Sequence, residues 1–233
     1  MENIAQAHIH NGLHRVTGAY CPPPDQGLTL HYQDEALLVV EKPAGLLAVP
    51  GRGTDKQDCL LRRVQSRFPE AITVHRLDMG TSGLMVFARG KATERALSIL
   101  FQTRQVQKCY IAVVAGQLAK ASGEINLPLA TDWTNRPRQM VCFAHGKPSL
   151  TRYTLLNYDA ARDSSRLALE PVTGRSHQLR VHLQVLGHPI LGDELYAGEH
   201  CQRAQRLLLH THALSFPHQH SAVSLTFTSP VPF

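Results

Sequence analysis

The apolar residues of this chain arrive in short runs broken by turn residues, and that limits what it can fold into. Segments 28–32 and 37–41 flank the turn QDEA, and ITV, LMVFA, CYIAVV, TRYTLL, RLALEPV, RLLLHTHAL and VSLTFT follow at strand length. They are rich in β-branched and aliphatic residues, as strands are. Helical spacing is confined to three places. Leu60, Leu61, Val64 and Phe68 share one face behind Asp58, a candidate cap; Thr93, Ala96, Leu97, Leu100 and Phe101 share another; the third segment runs from about Ser176 to Leu186, closed by Gly187. More strands than helices, joined by short turns, predicts an α+β fold: one domain over 28–233 on a mixed, mostly antiparallel central sheet with flanking helices. Residues 1–27 are polar and His-rich and end in CPPPDQG, which reads as a flexible leader.

At 233 residues such a domain buries about 70% of its unfolded surface and needs no staples. Hydrophobic content of 43% with 18% charged residues argues against wholesale disorder. The five cysteines are widely spaced with no C-x-x-C pair, which supports neither a disulfide framework nor a zinc ribbon; reduced thiols in the cytoplasm are expected. The start lacks the apolar core of a signal peptide and no run reaches membrane-span length, so no membrane association is expected. A net charge of +6 favours an anionic partner, nucleic acid first.

Residues 73–88, TVHRLDMGTSGLMVFA, place Arg76 and Asp78 between two apolar runs. In extended chain, positions two apart project from one face. An Asp beside an Arg stays ionised at neutral pH, which suits a nucleophile or electrostatic stabiliser better than a general acid. The same residues also fit an ordinary Arg–Asp pair or an Asp in a turn. Gly80 and Gly83 mark unusual backbone angles or a close approach. Neither phosphate-loop motif is present, so no nucleotide cofactor is expected.

In the third helical segment Leu179, Leu183 and Leu186 fall on one side, and His177, Arg180 and Gln184 on the other. The polar side is either a solvated face or a binding face whose Arg180 requires a phosphate or a carboxylate such as Asp78. His177 and His182 diverge by roughly 140° around a helix and cannot chelate one metal. No metal site is expected, despite fourteen histidines.

Taken together these segments resemble the RluA-type pseudouridine synthases. HRLDMGTSGL matches that family's HRLD motif, EKPAGLLAVPG at 41–51 its K-P-x-G motif, and KCYIAVV at 108–114 its K-x-Y-x-A segment. GRSHQLRVHLQVLGHPILGD at 174–193 is similar to the G-R-x-H-Q block, and LLLHTHALSFPH at 207–218 to the closing strand. The resemblance covers roughly 28–230 in family order. DWTNRPRQMVC at 132–142, and a leader too short for an S4-type RNA-binding domain, look most like the members that modify both 23S ribosomal RNA and a tRNA anticodon stem-loop.

The resemblance implies the pseudouridine synthase fold and an isomerase of structured RNA. It acts by flipping a uridine out, breaking its glycosidic bond and re-forming it at C5, with no cofactor. Asp78 becomes the catalytic carboxylate, attacking C1′ or abstracting the C2′ proton. Tyr110 stacks on the base and serves proton transfer at C5, and Arg180 pairs with Asp78. Arg76 enters the RNA helix, and Leu179 lines the pocket from its inner wall. His75, His177 and Arg175 join them as substrate-binding residues. Arg52, Arg62, Arg63, Arg136, Arg138 and Lys147 are candidate phosphate contacts. A monomer is expected. The competing expectations are a non-catalytic RNA-binding protein on the same scaffold and, from the histidines alone, a metal-dependent hydrolase.

Overall fold

A computed structural model describes residues 20–218 and 223–233. A hairpin comes first, β1 (Leu30–Gln33) and β2 (Leu37–Lys42). The Asp34 carboxylate organises its turn, accepting the backbone N–H groups of Ala36 and Leu37 at 2.7 Å each. Helix α1 (Leu60–Gln65), β3 (Ala71–Thr73), β4 (Ser82–Arg89), α2 (Lys91–Gln102) and β5 (Gln107–Ala115) follow. Next are β6 (Ser122–Asn126) and a small separate hairpin, β7 (Leu129–Thr131) with β8 (Gln139–Val141). The chain closes with β9 (Leu150–Asp159), β10 (Ser164–Pro171), α3 (Gln178–Val185), β11 (Leu209–Pro217) and β12 (Ser224–Thr228).

Ten strands form one sheet in the order β1-β2-β4-β11-β5-β10-β9-β6, with β3 added on β4 and β12 on β11. Among the described residues the β4–β11 contact is the one parallel pairing in a sheet that is otherwise antiparallel. It spans only His210↔Ser82 and Thr211↔Gly83. Gly83 is indispensable at this seam. Its φ is 109°, and a Cβ there would lie 2.6 Å from the Thr211 backbone nitrogen and closer still to its oxygen.

Strand β4 is buried on both faces, which explains its unbroken apolar run. Leu84, Val86 and Ala88 pack with Leu97 of α2, while Met85 and Phe87 pack with Leu60 and Val64 of α1. Leu179 and Leu183 of α3 pack on Ala112, Val114, Leu167 and Leu169 from β5 and β10. Tyr110 touches both the α1 and the α3 clusters, so it stands where the two halves of the sheet meet.

Three local expectations are corrected. Cys59, not Asp58, caps α1; the Asp58 carboxylate instead takes the Arg63 guanidinium at 2.7 and 2.9 Å. The same guanidinium donates to the Pro23 carbonyl at 2.6 Å, and the Tyr20 hydroxyl donates to Asp58 O and accepts from Leu47 N–H. Residues 20–27 are therefore anchored to α1 rather than forming the end of a flexible leader, while residues 1–19 lie outside the described residues. Third, the polar side of α3 is not a solvated face. Every residue from Gln178 to Leu183 is buried, whereas Leu186, expected on the apolar side, is 37% exposed. Asp193 and Tyr196 cover the helix at His177, Arg180 and Val181, and earlier chain at Leu127, Leu150 and Thr151 covers it at Gln178 and His182.

Candidate active site

Asp78 lies on extended chain between β3 and β4, and its side chain keeps 20% of its exposure. Two motifs hold it there. Thr81 N–H closes a turn on the Asp78 carbonyl at 3.1 Å. Below it, Lys42 is fully buried and donates to the carbonyls of Pro43, Leu46 and Met79 at 2.8, 2.6 and 3.0 Å. Gly45 N–H also reaches Met79 O, at 2.9 Å. The K-P-x-G loop is thus stitched to the residue next to Asp78. Burial pushes the Lys42 ammonium down to about 7, with the Asp78 charge opposing that fall.

Arg180 reaches Asp78 from α3. Its NH1 donates to Asp78 Oδ2 at 3.2 Å, while Nε and NH2 fork onto the two Asp193 oxygens at 2.7 Å each. Asp193 is fully buried and also accepts the N–H groups of Leu195 and Tyr196 on Oδ1. The guanidinium lies 5.0 Å over the Tyr196 ring. Burial works against its charge, but the Asp193 hydrogen bonds and carboxylate outweigh it, and its pKa rises. The result is a permanently charged group with one arm left free for Asp78.

Asp78 and Arg180 line a cleft of about 570 Å³, a volume suited to a nucleotide-sized guest. Tyr110 forms its inner wall, with its hydroxyl pushed up to about 12 by burial. Leu179 is 6% exposed and is among the residues that line the cleft. Lys108, two residues before Tyr110, faces the same space, and burial lowers its pKa.

Arg76 stands exposed at the rim and does not pair with Asp78; the carboxylate's partner is Arg180. Arg175 is also exposed, with Nε on the Pro148 carbonyl at 3.2 Å. His177 sits beside Asp78, its Nε2 3.9 Å from Oδ1. His75 lines the cleft and is also fixed to the scaffold. Its ring stacks on Phe101 at 4.6 Å and its Nε2 accepts the Val86 N–H at 2.9 Å, so it ties the HRLD segment to β4. Burial drives its pKa down to about 3. Of the candidate phosphate contacts, Arg63 is consumed by Asp58 and Pro23. Arg52, Arg62, Arg136 and Lys147 remain exposed, and Arg138 lies over the Tyr196 ring at 5.3 Å.

Residues 36–185 match the family model described as RNA pseudouridylate synthase. The chain belongs to that family. It is an RNA pseudouridine synthase, an isomerase. The dual-specificity RNA pseudouridine synthase RluA of Escherichia coli K12 is 48% identical over 215 residues, which is 92% of this chain and 98% of that one. RluA of Vibrio vulnificus is 49% identical over 206 residues, 87% of this chain and 82% of its own. Among solved structures, human RNA pseudouridylate synthase domain containing 1 superposes with a TM-score of 0.76 at 30% identity, covering 91% of this chain and 86% of its own. Human domain containing 4 gives 0.68 at 26% identity, with 87% and 88% covered.

Sequence reasoning passed over several residues that build the synthase's site. Asp193 and Tyr196 stand in LGDELY, beyond the third helical segment, and were not singled out. Gln178 satisfies all its groups: Oε1 accepts from the Thr173 hydroxyl and Arg175 N–H, and Nε2 donates to Leu150 O and Thr151 Oγ1. It therefore pins the loop that delivers His177 and Arg180, and its Gln inside G-R-x-H-Q was the available signal. His182 is spent between Thr151 Oγ1 and the Leu127 carbonyl. Among the described residues no group of three or more His, Cys, Asp or Glu side chains is arranged to hold a metal, and no helix is long and apolar enough to cross a membrane.

Proposed function

We propose that the synthase isomerises uridines in 23S ribosomal RNA, in tRNA anticodon stem-loops, or in both, with Asp78 acting at C1′ of the flipped nucleotide. The reaction breaks N1–C1′, joins C1′ to C5, releases the C5 proton and returns a proton to N1, so no net redox or cofactor step is required. The observation that carries the reading is Asp78, held by Arg180 at 3.2 Å, in a cleft walled by Tyr110. A carboxylate whose second partner is a fixed cation is available as a base at C2′ or a nucleophile at C1′. Tyr110 supplies the stacking ring. With its hydroxyl pushed up to about 12 it enters as a neutral phenol, so it relays the C5 proton only by passing on its own. Extraction of the base costs a few kcal/mol, offset by Arg76 entering the vacated stack and by rim cations on phosphates.

The choice of RNA follows the sequence resemblance to members that modify both, and the RluA relatives are themselves described as dual-specificity RNA pseudouridine synthases. The five free cysteines support a reducing cytoplasm, and a monomer is the working unit. Tritium release from C5-labelled uridine tests the substrates directly, with a large-subunit ribosomal transcript and a tRNA anticodon stem-loop as separate arms. Release from either RNA supports the reading, and release from both supports dual specificity. No release from either RNA under conditions where both bind would refute it.

A further inference from the structure

His177 precedes α3 in the left-handed region, at φ 53° and ψ 17°. Its Nδ1 lies 2.7 Å from the Tyr196 hydroxyl oxygen, and that oxygen accepts the backbone N–H of Gln139 at 2.8 Å. The Tyr196 hydroxyl, pushed up to about 12 by burial, keeps its proton. With Gln139 N–H already entering as a donor, the O–H is left to donate, and Nδ1 is the acceptor it meets. The imidazole therefore accepts this hydrogen bond at Nδ1 and carries its own proton on Nε2. The surroundings keep it neutral. Burial lowers its pKa; Asp78 and Asp193 pull it up, and Arg180 and Arg76 push it down. The Tyr196 ring is itself flanked by Arg180 and Arg138.

The Nε2–H thus faces Asp78 Oδ1 across 3.9 Å. That is too long for a direct hydrogen bond, but an oxygen about 2.8 Å from each atom bridges the two with an angle of about 90° at that oxygen. A group filling this position must accept from a fixed donor and donate to a fixed acceptor. The uracil carbonyls only accept, and its N3–H only donates. A hydroxyl does both, and in RNA the hydroxyl nearest C1′ is on C2′.

We infer that His177 Nε2–H and Asp78 Oδ1 together hold the 2′-hydroxyl of the target ribose, His177 donating to it and Asp78 accepting from it. The inference rests on the reading of Asp78 as the carboxylate at C1′. It makes His177 a specificity residue: it recognises the target nucleotide as RNA rather than DNA. Tyr196 and the backbone of Gln139 are positioning groups that fix its tautomer. The Gln139 contact also ties the β7–β8 hairpin to His177 through the Tyr196 hydroxyl.

The test uses two anticodon stem-loops that differ only in the sugar of the target nucleotide, ribose or 2′-deoxyribose, and reads the ratio of their dissociation constants. In both stem-loops the target base is pseudouridine, the product, so no turnover occurs while binding is measured. Wild type is expected to favour the ribose form by about tenfold, the worth of one well-made hydrogen bond pair. His177→Asn tolerates the left-handed backbone but is too short to reach, and lowers the ratio about threefold or more. His177→Gln, which still presents an N–H, recovers part of it. Tyr196→Phe removes the proton that holds Nδ1 and lowers the ratio with His177 intact, so it carries the test if His177→Asn does not fold. An unchanged ratio in folded His177→Asn or Tyr196→Phe would overturn the inference. Failure of the underlying reading looks different: wild type would then release tritium from neither the ribosomal transcript nor the uridine stem-loop.

Discussion

Replacing Asp193 by asparagine removes the charge that holds Arg180 in place while changing almost nothing in volume. In the native structure Asp193 accepts four donors: Nε and NH2 of Arg180, and the N–H groups of Leu195 and Tyr196. Three of these converge on Oδ1, where the asparagine oxygen would remain. The amide nitrogen would then meet Arg180 Nε–H, a donor against a donor at a position now 2.7 Å away. Removing one partner of a buried ion pair costs about 3–5 kcal/mol. Arg180 keeps Asp78 at 3.2 Å as partial compensation, which places the loss near the low end, about 3 kcal/mol. In a chain of this size that lowers Tm by about 6–12 °C. The freed guanidinium no longer presents NH1 to Asp78 in a fixed direction, and misplacement on the scale of 1 Å costs about 10²-fold in rate. Calorimetry gives the first number, and single-turnover tritium release under saturating enzyme the second, with RNA affinity expected to stay within about threefold of wild type. A Tm within about 2 °C and a rate within about threefold of wild type would refute the role given to Asp193.

Gly83→Ala drives a methyl into the Thr211 backbone at the one parallel contact among the described strands; the expected outcome is a large loss of soluble folded protein or of Tm, checked by circular dichroism. Lys42→Met keeps the stem and leaves the carbonyls of Pro43 and Leu46 without their ammonium partner. Its expected mark is a thermal destabilisation of about 2–4 kcal/mol, measured by denaturant melts. Acid should unfold the protein through His75 and His210, whose folded pKa values burial lowers to about 3 and about 4. Because both lie below the unfolded value near 6.5, their contribution is complete above about pH 6.5 and is lost as pH falls towards the folded values. Stability measured from pH 7 to 4 should therefore drop, and His210→Gln should flatten that slope.

The sheet was legible because its strands carry the pattern their burial demands. Strand β4 reads as an unbroken apolar run since α1 packs on one face and α2 on the other. The ends of elements were less legible. Asp58 has the type and place of a helix cap, yet a guanidinium five residues on competes for its carboxylate and wins with a bidentate bond. Helix α3 shows the same limit at the site. Its periodicity separates His177 and Arg180 from the leucines, but not which polar residues stay wet. That depends on Asp193 and Tyr196, thirteen and sixteen positions beyond Arg180, folding back over it. For Asp78 the sequence left a local pair with Arg76 open beside the pairing with Arg180 that the helix face and the resemblance pointed to; the tertiary structure has the second, across 102 positions. His75 lines the cleft as its place in HRLD suggests, but its stacking on Phe101 and its bond to Val86 N–H, which also tie it to the scaffold, were not legible.

The most direct test of the central claim, that the Asp78 carboxylate carries out the isomerisation, is single-turnover tritium release by Asp78→Asn on an RNA that wild type converts, at matched RNA occupancy. Asparagine keeps the shape and the hydrogen bond to Arg180 while removing the charge and the basicity. The account predicts binding within about threefold of wild type and release lowered by at least about 10⁴-fold, the scale of losing a reacting group rather than a supporting contact. Release within about tenfold of wild type by bound Asp78→Asn would contradict it.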